Sequence, residues 1–119
     1  FIAYKHFLAL KTITISDLER FVSVIEPEAK LRDQKGMDVR HGRHVFPLGG
    51  PSIVARLSQI LNPVSYIGAY RTHLAYEALH PFTDCNGRSG RALWLRQMKD
   101  APLGFLHEFY FQTLREGNG

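Results

Sequence analysis

The residues able to do chemistry are concentrated in one stretch, His80-Pro81-Phe82-Thr83-Asp84-Cys85-Asn86-Gly87-Arg88-Ser89-Gly90-Arg91. Pro81 ends one helical pattern and another resumes within Gly87–Gly90, so the stretch reads as helix end, tight loop and helix start. The first N–H groups of a helix have no intrahelical acceptor. Small residues at Cys85, Gly87, Ser89 and Gly90 let an anion approach that backbone closely, which makes a phosphate cradle. Arg88 and Arg91 are three residues apart, share a helical face and reach round the same anion. Asp84, just before the cradle, is placed to hold Mg²⁺ shared with phosphate oxygens. His80 supplies a general base that titrates near neutrality. A base, a metal carboxylate, an anion cradle and two guanidiniums are the inventory of phosphoryl or nucleotidyl transfer.

Taken singly, each residue has a plainer reading. A histidine before proline sits well at the negative end of a helix dipole, an aspartate before a helix is an N-cap, and lone arginines are solvated charges. Their joint occurrence in twelve residues is what favours a ligand site. Two competing constellations rank lower. His73, Glu77 and His80 share a helix face and with Asp84 would offer zinc ligands for a hydrolase, but the spacing is not HExxH and a further histidine would have to come from His41 or His44. Lys35, Arg40 and Arg43 make a basic loop able to touch nucleic-acid phosphates, yet no recognition helix or aromatic ladder accompanies them, so nucleic acid is not the expected partner.

The string at 80–91 resembles the signature of the Fic family, HxFx(D/E)GNGRxxR, matching at His80, Phe82, Asp84, Asn86, Gly87, Arg88 and Arg91. It departs at Cys85, where the family has Gly. The flanking Tyr76-Glu77-Ala78-Leu79 and Ala92-Leu93-Trp94-Leu95 also look like the family's helices, and the likeness covers roughly residues 15–115 of a single domain. The resemblance implies an all-α helical bundle with a short β-hairpin flap. It implies a protein adenylyltransferase that moves AMP from ATP to a Tyr, Thr or Ser hydroxyl of a target protein, with Mg²⁺ as cofactor. His80 would take the hydroxyl proton and Asp84 would hold the Mg²⁺. The backbone of Cys85, Asn86 and Gly87, with the Asn86 side chain, would form the anion hole. Arg88 and Arg91 would bind the β- and γ-phosphates, and Val45-Phe46 in the flap would clamp the target by strand-like pairing.

Two alternatives stay close to this reading. The related Doc toxins transfer phosphate but carry Lys where this chain has Gly87. A nucleotide-binding module without turnover would follow if Cys85 spoils the cradle, since a Cβ at positive φ costs about 1–2 kcal/mol. The plainer view of Cys85 is a tolerated small substitution rather than a redox lock. Family members are often held off by a helix bearing (S/T)xxxE(G/N). Glu116-Gly117 approaches that pattern with Gln112 where Ser or Thr belongs, so Glu116 reads as a terminal-helix residue and the inhibitor as a missing helix or a partner.

The elements that must position these residues are short helices. Ser16 to Glu19 has the form of a capping box ahead of Leu18, Phe21, Val22 and Ile25, with Pro27 as the stop. Phe1–Leu10 is a first helix, Ser52–Leu61 another, and Ser65–Leu79 the longest before the motif, with Ile67, Tyr70, Leu74 and Ala78 as its apolar stripe. Residues 28–50 lose helical period and contain a hairpin around Val45-Phe46. A last, broadly apolar helix is expected over Leu103–Arg115.

Composition sets the frame. Of 119 residues, 45% are hydrophobic and 22% charged, which suits a globular domain rather than a disordered chain. No apolar run approaches a membrane span, and no leader is apparent. The single Cys85 excludes an internal disulfide framework and fits the cytoplasm, with delivery into another cell left open. The net charge of +4 favours anionic ligands without choosing among them.

Overall fold

The computed structural model describes residues 2–65 and 67–98. Among these the chain forms helices α1 (Ile2–Ala9), α2 (Ile15–Ile25), α3 (Pro51–Leu61), α4 (Ala69–Leu79) and α5 (Asn86–Gln97), with strands β1 (Arg40–His41) and β2 (His44–Val45) between α2 and α3. The architecture is therefore mostly helical with one small antiparallel hairpin. The helix expected over Leu103–Arg115, and Glu116 after it, lie outside the described residues.

The central pair is α4 against α5, with α1 on α5, α3 on α4 and α2 on α1. The α4–α5 approach depends on Gly90. A Cβ there would lie 2.5 Å from Glu77 Oε1 and 3.0 Å from Tyr76 Cδ1. The core gathers Phe7, Leu18, Phe21, Ile53, Leu57, Tyr76, Phe82 and Leu93, all buried. Full burial of such side chains contributes about 1.5–3 kcal/mol each. Phe7 stacks on Phe21 with ring centroids 4.4 Å apart, and Arg96 fastens the end of α1 by donating from Nε to the Leu10 carbonyl at 3.0 Å.

Three expectations are corrected. The capping box of α2 lies two residues earlier than read. Thr14 is the N-cap with extended backbone, its hydroxyl accepts from Asp17 N–H at 3.1 Å, and Asp17 accepts from Thr14 N–H at 3.0 Å. Asp17 at the third helical position completes the reciprocal pair, so Ile15 and Ser16 fall inside the first turn. Second, α4 starts at Ala69 rather than Ser65, after Gly68 at φ +96°. Third, its buried face carries Ala69, Thr72, Tyr76 and Leu79, while Tyr70 and Leu74 of the expected stripe are 60% and 48% exposed. The inward face of α4 is partly polar because its polar groups are satisfied locally. Thr72 Oγ1 donates to the Gly68 carbonyl at 2.8 Å, and Tyr76 finds a partner on α5.

The hairpin pairs Arg40 with Val45 and His41 with His44 around the two-residue turn Gly42-Arg43. Gly42 takes φ +60°, the left-handed geometry that two-residue hairpin turns require at their first central position. A second strand-like contact ties the hairpin region to the motif. Leu31 bridges Phe82 antiparallel, Arg32 N–H donates to Pro81 O at 2.8 Å, and Thr83 N–H donates to Lys30 O at 2.8 Å. Among the described residues no helix is long and apolar enough to cross a membrane.

Candidate functional site

The loop 81–85 joins α4 to α5 and is pinned from within and from outside. Asn86 closes it from within. Its side-chain oxygen accepts from Phe82 N–H at 2.8 Å, and its amide nitrogen donates to Phe82 O at 2.7 Å. With both polar atoms committed and only 3% of the residue exposed, the Asn86 side chain braces the loop. The anion-hole role expected of that side chain is not what this geometry presents; only its backbone N–H stays in that part. Phe82 is 1% exposed and anchors the loop in the core, as its apolar character requires.

His80 is the C-cap of α4 and adopts the left-handed conformation, φ +48° and ψ +66°. A non-glycine residue there is strained by about 1–2 kcal/mol. The Arg32 guanidinium holds this conformation by donating from Nε to the His80 carbonyl at 2.6 Å. The imidazole bonds through Nδ1 to the Glu77 carbonyl. A carbonyl only accepts, so Nδ1 carries the proton and Nε2 keeps its lone pair. Burial lowers the His80 pKa, the Glu77 carbonyl opposes this, and His41, Arg32 and His44 push it lower. At neutral pH the ring is a neutral base.

The flap shields this base. Phe46 lies just past β2 and stacks on the His80 ring, with centroids 3.7 Å apart and planes 18° from parallel. His41 meets the His80 ring edge-on at 5.1 Å. His80 is consequently only 6% exposed. Of the two flap residues expected to grip a target, Phe46 turns inward at 8% exposure and Val45 faces outward at 46%.

At the other side of the loop, Cys85 is the N-cap of α5 at φ +70°, ψ +14°. The glycine-type backbone foreseen for this position is present, and a cysteine bears it. Its side chain is fully buried in the core cluster. Burial raises the thiol pKa, with Arg88 pulling the other way, so the sulfur stays protonated and sheltered. That favours a packed small residue over a redox lock. The carbonyl of Cys85 accepts from Ser89 N–H at 2.9 Å and from Ser89 Oγ at 2.8 Å. Ser89 Oγ, its proton thus placed, accepts from Tyr76 OH at 2.7 Å. This buried relay locks the first turn of α5 to α4, and burial pushes the Tyr76 pKa far up.

Helix geometry leaves the N–H groups of Asn86, Gly87 and Arg88 without intrahelical acceptors at the start of α5. The Cys85 N–H is taken: Asp84 Oδ1 accepts it at 2.7 Å. Asp84 is exposed, which suits a carboxylate that shares Mg²⁺ with substrate phosphates. Arg88 pairs with Glu26, the C-cap of α2, at 3.7 Å, and its Nε has no hydrogen-bond partner among the described residues. Arg91 follows on the same helix and is half-buried.

The zinc constellation is not assembled. His73 Nδ1 donates to the Gly90 carbonyl at 3.3 Å and its ring stacks on Trp94 at 4.4 Å, while the His80 ring belongs to the Phe46 stack. Among the described residues no three His, Cys, Asp or Glu side chains come together to hold a metal ion. His41 and His44 join the flap cluster instead, each edge-on to Phe46.

Sequence reasoning did not single out Arg32 or Glu26, nor the bond between Tyr76 and Ser89. None of these pairings is local: Arg32 acts on a residue 48 positions away and Tyr76 on one 13 away. Compared with family models, with curated proteins and with solved structures, the chain matches none.

Proposed function

We propose that this chain is a Fic-type protein adenylyltransferase. The observation that carries the reading is the pairing of a neutral, oriented imidazole with a helix N-terminus across one pinned five-residue loop. His80 Nδ1 is committed to the Glu77 carbonyl, which leaves Nε2 as the proton acceptor. The N–H groups of Asn86, Gly87 and Arg88 at the start of α5 have no intrahelical acceptor, and in this reading they take the nucleotide phosphates. Asp84 would hold Mg²⁺, which supplies charge neutralisation of the nucleotide phosphates when bound.

In this reading a target hydroxyl loses its proton to His80 Nε2 and its oxygen attacks the α-phosphorus of ATP. The new O–P bond forms as the bond to the departing pyrophosphate oxygen breaks. Arg88 and Arg91 bind the outer phosphates and stabilise the leaving group. Phe46 must give way, or slide along the imidazole, for the hydroxyl to reach Nε2, which makes the flap the entry for the target protein. One observation favours a second reading, nucleotide binding without turnover. Asn86 Oδ1 and Nδ2 serve the loop, Cys85 N–H serves Asp84, and Arg88 already has a carboxylate partner.

Mass spectrometry of the purified protein after incubation with ATP and Mg²⁺, beside His80→Ala, separates these. An added AMP in the wild type alone supports nucleotidyl transfer with His80 as base. An added phosphate instead points to Doc-like transfer. Bound nucleotide without an adduct, on the protein or on any protein of a lysate, overturns the enzyme reading.

A further inference from the structure

We propose that Arg32 is the positioning residue of the His80 site, a single buried guanidinium that sets the imidazole and its Phe46 cover in one register. The inference rests on the functional reading only for its activity test; the rest follows from geometry. Arg32 is fully buried, and no carboxylate lies within salt-bridge distance of it among the described residues. Its donors go to four carbonyls. Nε and Nη2 serve the last two carbonyls of α4, His80 O at 2.6 Å and Leu79 O at 2.8 Å. Nη1 serves both ends of the flap, Met37 O at 3.0 Å and Pro47 O at 2.8 Å.

Those four acceptors mark the two parts that must be registered. The α4 carbonyls fix the left-handed backbone from which the imidazole projects, and the flap carbonyls bracket the segment that delivers Phe46 onto it. The charge matches the negative end of α4, where uncapped carbonyls accumulate. A planar fork with five donors can face two sides at once. A lysine ammonium has three donors from one point and cannot serve both pairs, and an apolar residue would strand the buried carbonyls of His80 and Leu79 and free those of Met37 and Pro47. Backbone bonds of Arg32 to Pro81 O at 2.8 Å and from Gly50 N–H at 2.9 Å keep the side chain's origin fixed, so the clamp has little freedom of its own.

The test uses the whole chain and needs no nucleotide in its first two arms. In the wild type, hydrogen exchange of Arg32 Nε–H, His80 N–H and Phe46 N–H should report one shared opening, with protection equal within about threefold. A Phe46 amide exchanging more than about thirtyfold faster than a still-protected Arg32 Nε–H overturns the proposal. The second arm compares Arg32→Lys with Arg96→Met, which removes a guanidinium–carbonyl latch far from the site. In Arg32→Lys the ring-current shift that Phe46 imposes on the His80 ring should vanish and the Nδ1–H tautomer should give way to a mixture. The imidazole titration should also move up toward the ordinary histidine value as burial is lost. The groups facing that ring are His41 on β1, His44 on β2, Arg32 itself and the Glu77 carbonyl on α4, so His41 and His44 are followed in the same spectra.

Arg96→Met should leave the His80 signals in place. Unchanged His80 signals in a folded Arg32→Lys, or equal changes in both variants, refute the positioning role. If Arg32→Lys does not fold, the wild-type exchange result decides. In the third arm kcat for AMP transfer should fall about 10²-fold with nucleotide affinity nearly kept, as for a misplaced reacting group. A wild type that transfers nothing refutes the enzyme reading and leaves the first two arms to judge Arg32.

Discussion

Replacing Glu26 by Gln tests whether Arg88 is an anion receptor. The ion pair spans 3.7 Å, with the two side chains 25% and 31% exposed. At that separation the bare Coulomb attraction runs from about 1 kcal/mol in water to about 4 kcal/mol at the effective dielectric of a protein surface. Partial solvation and side-chain entropy reduce the net value of such pairs to about 0.2–1 kcal/mol. A phosphate binding Arg88 has to displace Glu26 or share the guanidinium with it. Removing the competing charge should therefore tighten ATP–Mg²⁺ by about 1.5- to 5-fold, the same free energy expressed as an equilibrium constant. The fold should weaken by a similar fraction of a kcal/mol, because the α2 end loses its tie to α5. Opposite signs in affinity and stability are the useful feature, since general loosening would lower both. Isothermal titration with ATP–Mg²⁺ and urea unfolding, on Glu26→Gln and Arg88→Gln side by side, read out both quantities. Affinity unchanged in both variants would show that Arg88 does not receive the anion. Weaker binding in Glu26→Gln would show that Glu26 orients Arg88 for the ligand rather than competing with it.

Three further outcomes follow from the same geometry. Because burial depresses the His80 pKa, the unfolded chain binds more protons than the folded one below the ordinary histidine value of 6.5. This contribution is intact above pH 6.5 and is lost as pH falls through the folded pKa; Phe46→Ala should flatten that slope in urea titrations at several pH values. Cys85→Ala keeps the Cβ at φ +70° but loses the buried sulfur, whereas Cys85→Gly loses the sulfur and also relieves the strain, about 1–2 kcal/mol. The glycine variant should therefore melt no lower than the alanine one, and a lower melting temperature for glycine would mean that the Cβ is not strained. Gly90→Ala should destabilise by about 1–3 kcal/mol, since the Glu77 carboxylate can swing away but the buried Tyr76 ring, 3.0 Å from the new Cβ, cannot. A calorimetric scan showing no loss would mean that α4 and α5 part easily.

The sequence by itself determined the helix–loop–helix at 80–91, because Pro81 restricts the backbone locally, although α5 opens at Asn86, ahead of the start expected within Gly87–Gly90. It also determined a mostly helical fold and a hairpin near Val45, which rest on period and on turn chemistry. The α2 cap was legible as a class of motif but two residues out of place. Thr14-x-x-Asp17 and Ser16-x-x-Glu19 offer similar chemistry, and the position of the helix on the core selects between them. Only the tertiary structure decided the rest. The stripe Ile67, Tyr70, Leu74 faces outward because the polar face of α4 found partners on α5, which no property of α4 alone reveals. The Arg88 guanidinium went to Glu26, and His80 came to rest between Phe46 and Arg32. Hydrogen bonds and ring stacks between residues tens of positions apart form only where packing brings them within a few ångströms, and residue spacing along the chain carries no record of that distance.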